Sequence, residues 1–223
     1  MNELTAVVIG ASGLTGSYVV EELLKDDAFG IVRILVRRPV QIIHNKLQQE
    51  VMSFNDINDY TQKFGEGDVI FCCIGTTQKG VKGDNAAYEK IDFDIPVNAA
   101  RIGISKKYKK FLIVSSVGAN ENSSNFYLKL KGKTENAIRR FAFESICFFR
   151  PSMLLGKRIE FRRGEKILQT GMKILSMLLF GSLIKYHAIN ARDVATAMIK
   201  ESKQNNPGVH YFEYIEIMKL AKN

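Results

Sequence analysis

Tyr127 and Lys131 are four residues apart in the run Tyr127-Leu128-Lys129-Leu130-Lys131, so a helix there carries both on one face. An ammonium beside a phenol favours the phenolate and draws its titration down toward neutral pH. Such a pair can pass a proton to or from a carbonyl or hydroxyl oxygen. Ser116, just past the apolar run Phe111 to Val114, would hold the same oxygen. Ser115 competes for that role, and Ser116 is preferred because it immediately precedes Val117-Gly118. In a chain with 8 tyrosines the tyrosine–lysine spacing is common, so its weight comes from its surroundings.

The surroundings begin with Gly10, Gly13 and Gly16. They follow the apolar run Ala6-Val7-Val8-Ile9 and lead into Leu14, Val19, Val20, Leu23 and Leu24, which are apolar at helical spacing. Strand, glycine turn and helix is the arrangement that seats a dinucleotide pyrophosphate on a helix N-terminus. The spacing is GxxGxxG, a departure from GxGxxG. From this segment Gly10, Ser12, Gly13, Leu14, Thr15 and Gly16 are candidate cofactor residues, with Ser12 a further phosphate donor. About twenty residues on, where an acidic side chain would meet a ribose hydroxyl, the chain has Arg37-Arg38. Arginine suits a 2′-phosphate, so NADP(H) is the expected cofactor, with Arg37 the principal ligand and Arg38 a second. Asp56, expected just after the third strand, is placed either to meet the adenine or to cap a helix. The run Val69 to Ile74 ends in Gly75-Thr76-Thr77, where a glycine permits close approach by the ribose or pyrophosphate; a plain turn is the competing reading of the threonines.

These residues need a frame that brings strand ends together. Apolar runs at Thr5–Ile9, Val32–Val36, near Glu50–Phe54, Val69–Cys73, Phe111–Val114 and Ile146–Arg150 alternate with helical segments, among them Asp94–Lys107 and Phe126–Phe143. That alternation predicts an α/β, Rossmann-type, doubly wound parallel sheet. After a basic segment and a Leu/Met-rich stretch come a helix over Asn190–Glu201, a strand over Val209–Phe212 and a terminal helix. The expectation is one domain over 1–223, with 152–223 contributing a small substrate-side lobe.

Composition narrows the classes. The 223 residues are 46% hydrophobic and 25% charged, ordinary values for a globular chain. The net charge of +9 includes Lys106, Lys107, Lys109 and Lys110, which fit a solvated helix end better than a nucleic-acid surface. With a first strand expected from Thr5, no secretory leader is expected. No 18-residue stretch lacks polar interruption, so no transmembrane segment is expected; the apolar 167–184 run suits core or substrate-pocket packing, with a dimer or membrane-surface contact as the other readings. Cys72, Cys73 and Cys147 show no metal or disulfide spacing, and His44, His187 and His210 are scattered, so no metal is expected and a reducing cytoplasm fits. Arg158, Arg162 and Arg163 could meet an anionic substrate or lie in a solvated loop.

The glycine loop, Ser115-Ser116-Val117-Gly118, the tyrosine–lysine pair and Arg150-Pro151-Ser152 together resemble the short-chain dehydrogenase/reductase superfamily. More narrowly, Cys73-Ile74-Gly75-Thr76-Thr77, Ile91-Asp92-Phe93-Asp94, Ser123-Ser124-Asn125-Phe126-Tyr127 and Arg163-Gly164-Glu165 resemble its Tat-interacting-protein-like atypical group. The resemblance implies a catalytic Ser116, Tyr127 and Lys131, NADP(H) as cofactor, and Pro151 and Ser152 beside the nicotinamide. The expected function is an NADP(H)-dependent oxidoreductase for a small carbonyl or alcohol of unknown identity. The alternative is a catalytically weak NADPH-binding regulator or scaffold with a homodimeric or protein partner.

Overall fold

The computed structural model describes residues 3–156 and 181–222. Its strands β1 (Leu4–Ile9), β2 (Phe29–Val36), β3 (Leu47–Val51), β4 (Val69–Cys72), β5 (Lys110–Val114) and β6 (Ser145–Phe149) alternate with helices α1 (Leu14–Lys25), α2 (Ile57–Phe64), α3 (Asn85–Glu89), α4 (Ile95–Ser105) and α5 (Phe126–Ile138). Then come the paired short strands β7 (Leu154–Leu155) and β8 (Ile189–Asn190), helix α6 (Ala191–Lys203), strand β9 (Gly208–Phe212) and helix α7 (Tyr214–Lys222). The seven-stranded sheet has the order β3-β2-β1-β4-β5-β6-β9, and every pairing is parallel. This is the doubly wound α/β architecture, with the strand order reversing between β1 and β4.

Alternation along each strand divides the core. Ala6 and Val8 face α1, α6 and α7, where Val19, Leu23, Val194, Met198 and Ile217 are buried. Val7 and Ile9 face α2, α4 and α5 through Tyr60, Phe64, Ile95, Ala99 and Ile138. A parallel sheet covered on both faces demands strands without an exposed side, and β4, Val-Ile-Phe-Cys, is buried throughout.

Several boundaries differ from the sequence expectation. The third strand lies at Leu47–Val51 because Met52 turns into the core and Phe54 packs edge-on against Tyr60 at 5.0 Å. Helix α5 stops at Ile138, since Phe141 and Phe143 enter the core from a turn, Phe143 resting 5.3 Å from Phe111. The segment ahead of α4 is helical from Asn85 and widens into a π turn over Lys90–Asp94. Among the basic cluster, Lys110 is structural: its ammonium donates to the carbonyls of Ser202 and Gln204 at 2.8 and 2.6 Å, closing the end of α6.

The expected 152–223 lobe is smaller than its range. Strand β9 is the seventh strand of the main sheet, pairing Cys147 with His210, and α6 and α7 cover that sheet. The β7–β8 ribbon and the 3-10 turn Gly181–Tyr186 are what the described residues leave outside it. Arg158, Arg162, Arg163 and most of the 167–184 run lie outside the described residues. No helix among the described residues is long and apolar enough to cross a membrane.

Candidate functional site

Because all seven strands run parallel, the loops that follow them open on one edge. After β1, Gly10 adopts φ +83°, and a Cβ there would lie 2.7 Å from the backbone of Cys73 and Ile74. The loops after β1 and β4 therefore meet at Gly10, at the switch point of the strand order, where folds of this architecture bind ligands. At Gly16 a Cβ would lie 2.1 Å from the Gly10 carbonyl oxygen, so only glycine lets α1 start this close to β1. Gly13 is the N-cap of α1, has no side chain to cap with, and is followed by no acidic residue in the first turn. The positive end of α1 is left open to an anion. Ser12 beside it is exposed, Thr15 is buried, and Leu14 packs toward Gly156.

Arg37 and Arg38 follow β2, are exposed, and have no ion pair among the described residues. Asp56 follows β3 and caps α2, its Oδ1 accepting from the Asn58 and Asp59 amides at 2.9 and 3.2 Å. Of the two readings of Asp56, the cap is the contact the structure displays. After β4, Gly75 is exposed and Thr76 is held through its backbone: its N–H donates to Asp92 Oδ2 at 2.8 Å, and its carbonyl accepts from the Tyr88 hydroxyl at 3.0 Å.

Helix α5 starts at the same edge. Asn125 caps it by accepting from the Leu128 amide at 3.1 Å, which places Tyr127 in the first turn and Lys131 one turn below. Lys131 Nζ lies 6.0 Å from the Tyr127 ring centroid. Tyr88 of α3 meets Tyr127 edge-on at 6.4 Å. The lysine is not a lone cation. Its Nζ lies 2.8 Å from Asp92 Oδ1, with the two side chains 7% and 1% exposed. Burial works against the ammonium, but the Asp92 carboxylate outweighs it and holds the Lys131 pKa above the ordinary value. Asp92 is a residue of the candidate site that motif reasoning from spacing missed. Its sequence signal was a carboxylate inside the apolar stretch Ile91-Asp92-Phe93, ahead of Ile95-Pro96-Val97.

The two serines after β5 differ. The Ser115 hydroxyl donates to Glu135 Oε1, which also accepts from Arg150 Nε at 2.9 Å while Glu135 Oε2 accepts from Arg150 Nη2. Ser116 is also buried, and among the described residues its hydroxyl has a 3.3 Å contact to the Val117 carbonyl. Pro151, after β6, is buried and its carbonyl accepts from the Val117 amide at 3.0 Å, so the β5 and β6 ends run side by side. The Ser152 hydroxyl turns to the Tyr186 carbonyl at 2.8 Å. The glycine turn, Gly75-Thr76, Ser116, Tyr127, Lys131 and Pro151-Ser152 thus share one edge, with Arg37, Arg38 and Asp56 farther along it.

Comparison with known proteins bears on the family and the fold. A family model described as NAD(P)H-binding matches residues 10–172. Rat HTATIP2 is 31% identical, the alignment covering 100% of this chain and 91% of that protein. The mitochondrial protein FMP52 of Meyerozyma guilliermondii is 30% identical over 98% of this chain and 96% of its own. Among solved structures, a UDP-glucose 4-epimerase from Thermotoga maritima superposes with a TM-score of 0.71 at 18% identity, over 98% of this chain and 82% of its own. Bordetella bronchiseptica WbmH, solved with NAD+, superposes at 0.70 with 14% identity, over 94% and 75%. The glycine turn opens the stretch that the family model covers, and the chain belongs to the NAD(P)H-binding family.

Proposed function

We propose that the protein is an NADP(H)-dependent oxidoreductase for a small carbonyl or alcohol, in which Tyr127 exchanges the proton. The observation that carries this reading is the placement of Tyr127 and Lys131 on one face of α5, at the edge that also holds the glycine turn. The residues present fit the cofactor. An uncapped helix end with glycine at its N-cap suits a pyrophosphate, and the exposed Arg37 and Arg38 suit a 2′-phosphate. When bound, NADPH would supply the hydride for reduction of a carbonyl. The Tyr127 hydroxyl then gives its proton to the carbonyl oxygen, and Ser116 holds that oxygen, Ser115 being committed to Glu135. Lys131, kept charged by Asp92, stands on the same helical face, 6.0 Å from the Tyr127 ring. Three free cysteines suit a reducing compartment, and we place the protein in the cytoplasm.

One observation favours a second reading, a catalytically weak NADPH-binding regulator: the Asp92 carboxylate offsets part of the field that Lys131 exerts on Tyr127. Turnover separates the two. With a panel of small aldehydes and ketones, Tyr127→Phe should lower NADPH-dependent reduction by about a hundredfold or more, leaving NADPH affinity unchanged. Equal turnover by the variant overturns the catalytic assignment. A wild-type protein that binds NADPH and reduces nothing in the panel supports the regulator.

A further inference from the structure

Asp92 lies in the π turn between α3 and α4, an irregularity that recurs at functional positions in helices. Its backbone is fixed from α5, the Thr134 hydroxyl donating to its carbonyl at 3.0 Å. Its carboxylate serves two elements at once. Oδ1 faces Lys131 on α5 at 2.8 Å, and Oδ2 accepts from the Thr76 amide in the loop after β4 at 2.8 Å. A Cβ at Gly75 would lie 3.5 Å from Asp92 Oδ1 and 3.9 Å from Lys131 Nζ, so carboxylate, ammonium and open loop backbone meet within one layer of atoms. Compensating the buried lysine requires only the Lys131 contact. The bond to Thr76 adds something charge balance does not ask for: with Tyr88 on the Thr76 carbonyl, both backbone polar groups of that residue are fixed.

We propose that Asp92 is a positioning residue that presets the Gly75-Thr76 loop for the dinucleotide and ties that loop to Lys131. The proposal rests on the reading of Gly75-Thr76 as a cofactor contact and is independent of whether Tyr127 turns anything over. A loop held in its binding geometry before the ligand arrives spares the ligand the cost of ordering it. Loss of the Thr76 bond should therefore appear in cofactor affinity.

Removing Asp92 alone strands a buried lysine, so the test pairs each change with Lys131→Met. In D92N/K131M the asparagine carbonyl still accepts from the Thr76 amide; in D92L/K131M a branched side chain of similar outline does not. Both lack the ion pair. At matched thermal stability, D92L/K131M should bind NADPH about tenfold more weakly than D92N/K131M, the loss expected for one unmade hydrogen bond. Equal affinities overturn the proposal. Hydrogen exchange on the unaltered, cofactor-free chain supplies a second measurement: a Thr76 amide protected to the level of its β4 neighbours supports the preset loop, and fast exchange there overturns it. Gly13→Asp separates this from the cofactor reading, since it places a carboxylate where the pyrophosphate would sit. If G13D binds NADPH like the wild type, the cofactor reading has failed. If G13D does not bind and the two double variants bind equally, the coupling alone has failed.

Discussion

Arg37 illustrates how far one side chain can be read by position. It follows β2 directly, is exposed, and is spent on no carboxylate among the described residues. A guanidinium in that state can give its full donor fork to a 2′-phosphate. Arg37→Ala should therefore weaken NADPH by about tenfold, the order expected for an exposed charge-assisted contact, and leave NADH almost unmoved. Titration of both nucleotides into both proteins checks it, and an equal loss for the two removes the 2′-phosphate assignment. The placement of Tyr127 and Lys131 on one helical face, and of Arg37 just after β2, was legible because the evidence is local: helical spacing in one case, distance from a glycine turn in the other. Asp92 and Glu135 were not. Their partners, Lys131, Thr76, Ser115 and Arg150, are brought in by other elements, and no spacing along the chain encodes those meetings.

Elements were readable where burial imposes a period, and less so where packing decides the end. The inner strands β1, β4, β5 and β6 announce themselves as apolar runs because both of their faces are covered, whereas the edge strands β3 and β9 are partly exposed. The π turn had no such signature, since an extra residue in a helix changes neither composition nor period enough to show. Helix packing also depends on glycines whose role is visible only in three dimensions. On α5 a Cβ at Gly132 would lie 2.2 Å from the Glu121 amide nitrogen and 2.3 Å from the Asn120 carbonyl carbon, both backbone. On α4 a Cβ at Gly103 would instead meet Ile70 Cδ1 at 2.3 Å, the end of a side chain that can rotate. Helix propensity favours alanine at both by about 1 kcal/mol. Gly132→Ala should still cost about 1–3 kcal/mol, because the 119–122 loop must lift off α5. Gly103→Ala should be nearly neutral by comparison. Urea melts of the two variants test the contrast, and equal midpoints would mean that the loop yields as easily as the isoleucine.

For the molecule as a whole, the spatial order of the strands was not written in any one segment; it follows from parallel crossovers that set β1 beside β4 and reverse the order of strand addition between them. That assembly buries groups which would otherwise titrate. Burial pushes the Cys72 and Cys147 thiols and the Tyr108 phenol each up to about 12. In the unfolded chain the thiols lose their protons near pH 9 and the phenol near pH 10. Between those values and about pH 12 the folded state holds protons that the unfolded state has released. Stability must then fall as pH rises, and Lys131, whose raised pKa also favours its protonated form when folded, adds to the same slope. Each group that ionises only on unfolding contributes about 1.4 kcal/mol per pH unit. The unfolding free energy should accordingly be flat from pH 7 to about 8.5 and decline steeply above it. Cys72→Ala should make that decline shallower by about one proton's worth, whatever it does to stability at neutral pH. Denaturant melts from pH 7 to 11 on both proteins measure the two slopes. A wild-type midpoint unchanged at pH 11 would mean that the core admits solvent to these groups, against the burial of both thiols and the phenol in the folded chain.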